Sequence, residues 1–446
     1  MIPVVAIFDV GKTNKKLFLF DEDYQIVFER SARFLETTDE DGDPCENLES
    51  LRLSVFDSLH EVFRRKEFDI RAINFTSYGA SFVYIDEAGR PLTPLYNYLK
   101  TLPEGIQERL HKAYGGEHQF SLETASPVLG SLNSGLQLLR VKEKMPDVFN
   151  QIKYALHLPQ YLSFLISGKV YSDMTSIGCH TALWDFKARD YHQWVKDTGI
   201  DKVLPPIVKG DTVFESTFLG SEFKVGVGLH DSSSALIPYL LNFYEPFILI
   251  STGTWCVSLN PYNEIPLTAE ELKRDCLFYL SYTGVSVKAS RLFAGHEHEV
   301  QSKRIADYFN ISPVKFKSLK INWDIIELLK VEKVSDSLDA FASVDLGKYK
   351  NYGEAYHALI TCLVYAQVES TKLIIGDGRV KRIFVDGGFS KNDIYMNLLA
   401  KSFPEIEVYA ASMAQATAIG AALVIHEHWN DQAIPNDIIE LRYYRA

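Results

Sequence analysis

A chain of 446 residues with 46% apolar and 13% aromatic content exceeds what one hydrophobic core usually supports, so two domains are expected. The net charge of −12 argues against nucleic acid or an anionic membrane as the main partner and leaves a small molecule as the better fit. Five cysteines (Cys45, Cys179, Cys256, Cys276, Cys362), odd in number and without paired metal spacing, argue against a disulfide framework or a zinc site and point to a reducing compartment. Met1 to Asp9 has no cationic start and reaches an acid too early for a signal peptide. No apolar run approaches the roughly 20 residues of a membrane helix, so a cytoplasmic location is expected.

Along the chain, Val4 to Phe8 is an apolar run that meets Asp9-Val10-Gly11-Lys12-Thr13-Asn14-Lys15, and Leu17 to Phe20 then resumes strand character. This predicts a hairpin with a glycine tip. A third strand (Gln25 to Phe34), an acidic loop (Thr37 to Glu46) and an amphipathic helix through Leu51, Val55, Leu59 and Phe63 follow. Strand Ile70 to Phe75 runs into Thr76-Ser77-Tyr78-Gly79-Ala80-Ser81, and Phe82 to Asp86 comes next. Leu102 to Gly199 reads as mostly helical, a cap on the first lobe. Strand Lys224 to Leu229 delivers His230-Asp231 at its end, and Ser232 to Ser234 open the helix Ala235 to Leu241.

A second hairpin repeats the first: Phe247 to Ile250, then Ser251-Thr252-Gly253-Thr254-Trp255-Cys256, then Val257 to Leu259. Thr268 to Asn310 reads as helix-rich, Val331 to Tyr349 is weakly patterned, and Ala355 to Ile375 predicts a long amphipathic helix. The chain closes with strand Arg382 to Val385, the turn Asp386-Gly387-Gly388-Phe389, helix Asp393 to Lys401, strand Val408 to Ala410 and helix Thr417 to Glu427. These elements predict an α/β protein of two lobes, 1–232 and 233–446, with one glycine tip in each.

Glycine tips of this kind bind phosphate, because the backbone approaches an anion and N–H groups with a threonine hydroxyl act as donors. Two of them suggest a nucleotide held between related lobes. Asp9, at the end of the first strand, would hold Mg²⁺ while Gly11, Lys12, Thr13 and Asn14 meet the phosphates; the plain alternative is an aspartate bonding its own turn. Asp231 is either a helix N-cap or the base that takes a proton from an attacking hydroxyl. Gly387, Gly388 and Asn392 sit between strand and helix, where an adenine or ribose can lie against the backbone. His296 and His298, like His426 and His428, are two residues apart and so point to different faces of a helix, which argues against a metal pair.

These segments, in this order, resemble the FGGY family of carbohydrate kinases, with a rhamnulokinase-like branch nearest. Asp9 to Asn14 is similar to the family's first phosphate motif, Thr76 to Phe82 to its sugar-facing loop, Gly228 to Ser232 to the segment holding the catalytic aspartate, and Ser251 to Trp255 to the second phosphate motif. Asn133 to Leu138 and Leu158 to Leu162 resemble the capping region. Val385 to Asn392 with Gln415 to Ala422 resembles the adenosine site.

The resemblance implies the two-lobed actin-like ATPase fold with RNase H-like cores, ATP and Mg²⁺ as cofactors, and closure of the lobes on a sugar. It assigns Asp231 as base, Tyr78, Gly79, Ser81 and His230 to the sugar, and Gly253, Thr254, Gly388 and Gln415 to the nucleotide. Lys12 and Asn14 stand where the family usually has small hydroxylated residues. Ser81 replaces an acid, Asn97-Tyr98 an Arg-Asp pair, and Gln160 and Gln415 each an acid.

The expected activity is an ATP-dependent sugar kinase acting on a ketose or deoxyketose, L-rhamnulose- or L-fuculose-like. The alternative is a nucleotide-gated binding or regulatory protein on the same scaffold. A small-molecule sugar, no nucleic acid and no membrane are the expected partners, and a homodimer is compatible with this reading.

Overall fold

A computed structural model describes residues 1–12, 15–32, 35–331, 341–413 and 415–445. Thr13 and Asn14, and residues 332–340 of the weakly patterned stretch Val331 to Tyr349, lie outside the described residues. Two seven-stranded mixed sheets organise the chain. In the first, Ile2–Val10 pairs antiparallel with Lys15–Phe20 and parallel with Phe68–Ser77. In the second, Phe247–Thr252 pairs antiparallel with Cys256–Asn260 and parallel with Arg382–Gly387. Each glycine tip thus belongs to a hairpin whose first strand is central, with a parallel neighbour reached by a helical crossover. Val4 to Ile7 and Phe247 to Ile250 are at most 1% exposed, which explains their unbroken apolar runs: both faces of a central strand are covered.

The first crossover is the helix Leu48–Phe63. It buries Leu48, Leu51, Val55, Leu59 and Val62 along one face, and Asn47 Oδ1 caps it by accepting from Ser50 N–H at 2.9 Å. The lobes join through two helices, Asp231–Asn242 and Ala416–Leu423, which share an apolar core with residues from both sheets, among them Val5, Phe18, Leu236, Phe247, Ala418 and Leu423. The expected division between 232 and 233 falls within the first of these helices.

The acidic stretch before the first helix forms a small hairpin, Glu36–Thr38 with Pro44–Glu46. The region 268–310 is only half helical, contrary to the expectation. Between the helices Ala269–Lys273 and Ala294–Tyr308 lie the strands Cys276–Leu280 and Ser286–Leu292. Cys276 to Leu280 is an entirely buried five-residue apolar run, which periodicity cannot separate from helix; antiparallel pairing at the sheet edge decides it. Glu440–Tyr444 adds an unanticipated edge strand beside Glu407–Ser412.

Tyr352–Ile375, at 24 residues, is long and apolar enough to cross a membrane by length and composition, which corrects the expectation that no stretch comes near that limit. In this fold 61% of its most apolar window is buried inside the protein.

At the helix crossing, a Cβ on Gly420 would lie 1.9 Å from the Ser234 carbonyl oxygen, and Ser234 Oγ donates to the Thr417 carbonyl at 2.8 Å. Only a hydrogen fits. Gly420→Ala is expected to force the helices apart and cost about 1–3 kcal/mol, as overpacking does. An unchanged midpoint in thermal unfolding would show that the crossing yields freely.

Candidate active site

Asp9 lies next to the end of Ile2–Val10, opposite Lys16 on one side and Thr76 on the other. Its Oδ2 accepts from Thr417 Oγ1 at 2.6 Å, a contact reaching from the second lobe to the first. Burial pushes the Asp9 carboxyl up to about 6; the Thr417 hydroxyl opposes this, and the negative charge of Asp231 adds to it. The Asp9 carboxylate is a hard oxygen donor of the kind a divalent cation takes, and the nearby Asp231 adds negative charge to its surroundings.

Asp231 occupies the first turn of Asp231–Asn242, directly after the two-residue strand Leu229–His230 that pairs with the end of Phe68–Ser77. Its Oδ1 accepts from Ser232 N–H at 2.6 Å and lies 3.2 Å from His230 Nε2, and the side chain stays 31% exposed. His230, not Asp231, holds the cap position of the helix. The carboxylate therefore reaches solvent at the positive end of the helix.

His230 is buried, and burial lowers its pKa. Its Nε2 stands 3.1 Å from Cys179 Sγ, and its backbone N–H donates to Thr175 Oγ1 at 2.9 Å. Gly79 is required beside it, since a Cβ there would meet His230 Cδ2 at 2.9 Å. Tyr78 donates to Glu46 Oε1 at 3.0 Å and packs edge-on against Tyr98. Ser81 is 1% exposed and gives its hydroxyl to the Tyr96 carbonyl at 3.3 Å, so that group is spent inside the protein and not presented to a ligand. Gln160 is likewise buried, donating to Asp173 and to the Gly228 carbonyl at 2.9 Å each.

In the second lobe, Thr252 stitches two loops together. Its hydroxyl donates to the Asp386 carbonyl and accepts from Phe389 N–H, and its carbonyl accepts from Gly388 N–H at 3.0 Å. Gly387 is at φ +88°, where a Cβ would meet the Thr252 carbonyl oxygen at 2.0 Å, so glycine is needed on both counts. The helix Ala294–Tyr308 begins directly on the second tip: a Cβ on Gly295 would overlap the Gly253 carbonyl, and His296 N–H donates to the Thr254 carbonyl at 3.2 Å.

A cavity of about 1,110 Å³ opens beside these loops, with Gly253, Gly388, Asn392, Phe389, Phe316 and His298 in its lining. It is roomy enough for a nucleoside, with apolar walls and glycine backbone at the edge. Asn392 stands in the wall with its amide committed: Oδ1 caps the helix Asp393–Ser402 and Nδ2 donates to Tyr356 Oη at 2.9 Å. His298 Nε2 pairs with the same hydroxyl at 2.8 Å. Gln415 is not in this lining; it heads the helix Ala416–Leu423 at φ +59°, the helix that sends Thr417 to Asp9.

Family models match nearly the whole length: the FGGY N-terminal domain over residues 4–237 and the FGGY C-terminal domain over residues 244–433. The chain belongs to the FGGY family of carbohydrate kinases. A rhamnulokinase of Oceanobacillus iheyensis is 24% identical over 375 residues, 79% of this chain and 77% of that protein. A rhamnulokinase of Halalkalibacterium halodurans is 23% identical, its match spanning 58% of this chain and 56% of that protein, little more than half its length. The crystal structure of a carbohydrate kinase from Novosphingobium aromaticivorans shares the fold with a TM-score of 0.77 at 22% identity, covering 100% of this chain and 94% of that one. The fold is that of the actin-like ATPases.

Two partners in this FGGY site escaped sequence reasoning. Thr417 sits in a run of small residues that reads as helix packing, and nothing local shows that its hydroxyl reaches Asp9. Glu46 is the last acid of the stretch Asp39 to Glu46 and looks like one more solvated charge, yet it is 3% exposed and faces Lys12, Lys15 and Tyr78. The available signal was Asn47, a cap residue beside it that fixes where the preceding strand must end.

The raised Asp9 pKa has a consequence for folding. A carboxyl whose folded pKa lies near 6 instead of 3.8 binds its proton more tightly when folded, so its favourable contribution is complete below 3.8 and is lost as pH rises through about 6. Asp9→Asn removes this titration. Thermal midpoints measured against pH are expected to shift in the variant's favour between about pH 4 and about pH 6 and then level off; a difference that does not vary with pH would contradict the raised value.

Proposed function

We propose that this chain is an ATP-dependent sugar kinase that transfers the γ-phosphoryl group to a hydroxyl of a ketose or deoxyketose, of the L-rhamnulose or L-fuculose kind, in the cytoplasm. The observation that carries the reading is the pairing of Asp9 with Asp231: one buried carboxylate beside the first glycine tip, one solvent-reaching carboxylate at a helix start, close enough to feel each other's charge. The low-identity rhamnulokinase relatives support the acceptor class.

Asp231 acts as base. Its exposed oxygen can take the proton of an attacking hydroxyl, while Ser232 N–H and His230 hold the other oxygen and fix the carboxylate's direction. Gly79, His230 and Tyr98 form the side on which the sugar is oriented. Gly11 and Lys12, with Thr13 and Asn14, would meet the phosphates from the first lobe, and Gly253 and Thr254 from the second. Gly387 and Gly388 would take the adenosine into the adjoining cavity. Asp9 would hold Mg²⁺, which when bound neutralises charge on the phosphate oxygens.

Three measurements test this. Asp231→Ala is expected to keep ATP affinity and lose about 10²- to 10⁴-fold in turnover, the usual worth of a positioned base; near-normal turnover would remove Asp231 from that role. ADP release across a panel of ketoses, aldoses and polyols names the acceptor, and sugar-independent hydrolysis with every acceptor inert would favour the nucleotide-gated alternative. A Cβ on Gly388 would meet no heavy atom within 4 Å, and the backbone there has a helical φ of −63°, so Gly388→Leu fills the cavity without strain. Calorimetry is expected to show ATP binding weakened by at least about 10-fold, or about 1.4 kcal/mol, with an unchanged melting midpoint; unaltered binding would move the nucleoside elsewhere.

A further inference from the structure

We propose that Glu46 is a positioning residue for phosphoryl transfer, aiming the Lys12 ammonium at the phosphate that is transferred. The inference rests on Lys12 being a phosphate contact.

An acid at 3% exposure demands partners, and Glu46 has three. Oε1 accepts from Lys12 Nζ at 3.2 Å and from Tyr78 Oη at 3.0 Å, while Oε2 faces Lys15 Nζ at 3.4 Å. Lys15 Nζ also donates to the Lys12 carbonyl at 3.3 Å. The Tyr78 and Tyr98 rings flank the Lys12 ammonium at 5.7 and 5.9 Å. A lysine with this many neighbours has given up the rotamer freedom that such a side chain normally keeps at a surface.

The member of the cluster that reaches solvent is Lys12: its side chain is 30% exposed, against 10% for Lys15 and 4% for Glu46. The ammonium that Glu46 holds is thus the one open to a ligand.

Glu46 is held from behind. Its backbone exchanges hydrogen bonds with Leu95 at 3.3 and 3.4 Å. In the same hairpin, Asp39, Asp41 and Asp43 close on Lys100 Nζ at 2.7, 2.8 and 2.8 Å. The carboxylate is therefore a fixed anchor, unlike an exposed ion pair. Tyr98 lies within reach of the charges of both Asp231 and Glu46, so the aromatic wall that flanks Lys12 also borders the base.

Tethered to Glu46, the Lys12 ammonium stays fixed and available to the charge that develops on the moving phosphoryl group.

The test uses the full chain, Mg²⁺, ADP and a non-hydrolysable ATP analogue for binding, and for turnover the acceptor, sugar or water, that gives the fastest ADP release. Lys12→Met is expected to weaken the triphosphate analogue by about 10-fold or more relative to ADP. Glu46→Gln removes a negative charge near the phosphates, so the analogue should bind no more weakly, while kcat falls about 10- to 100-fold because a displaced group loses its geometry. Glu46→Asp keeps the buried charge, withdraws it by one methylene, and is expected to lower kcat with binding unchanged; it carries the test should Glu46→Gln not fold.

The Glu46→Gln/Lys12→Met double variant should be no slower than Lys12→Met alone. Wild-type behaviour of Lys12→Met would overturn the phosphate contact itself. Unchanged kcat in the Glu46 variants, or losses that multiply in the double variant, would overturn the role of Glu46 and leave that contact standing. Equal weakening of ADP and analogue together with a lower melting midpoint would assign Glu46 to the fold alone.

Discussion

Two carboxylates that repel one another, Asp9 and Asp231, are the constraint around which this molecule is organised. Each comes from a different place in the chain: the end of a central strand, and the first turn of the helix that connects the lobes. Neither can retreat. Asp9 is set by strand pairing on both sides and fastened to Thr417, and Asp231 by the helix start and His230. Burial first, and the Asp231 charge in addition, raise the Asp9 pKa, and a protein retains such a cost where the charge has a use.

The surroundings follow from this placement. The strand order that buries Ile2–Val10 between antiparallel and parallel neighbours recurs around Phe247–Thr252, so that both glycine tips leave their sheets at equivalent points. The helices Asp231–Asn242 and Ala416–Leu423 then cross with backbone nearly touching backbone at Ser234 and Gly420, which brings Thr417 close enough to reach the other lobe. Sheet topology, helix crossing and the Asp9 contact are one arrangement seen at three scales.

Much of this was legible in the residues. Both hairpins, the crossover helix and the final strand, turn and helix announce themselves through continuous apolar runs, glycine tips and helical spacing, because those features are decided locally. The strands Cys276–Leu280 and Ser286–Leu292 were not, since a fully buried five-residue run has no period to read and only its sheet partner assigns it. Ser81 looked like a ligand contact by its position in a loop, while its hydroxyl is taken by a carbonyl 15 residues away in sequence. Glu46 was hidden among neighbouring acids. Asp41 and Asp43 also meet a lysine distant in the chain; what separates Glu46 from them is burial, its side chain being 4% exposed against 61% and 50%, which composition cannot express.

The single hydroxyl of Thr252 binds the Asp386 carbonyl and the Phe389 amide at once, so the second hairpin and the diglycine turn are one solid piece. The two segments are already joined in the folded chain. The entropy of bringing the two segments together was already spent when the chain folded, and any hinge movement must carry both across as a preformed jaw.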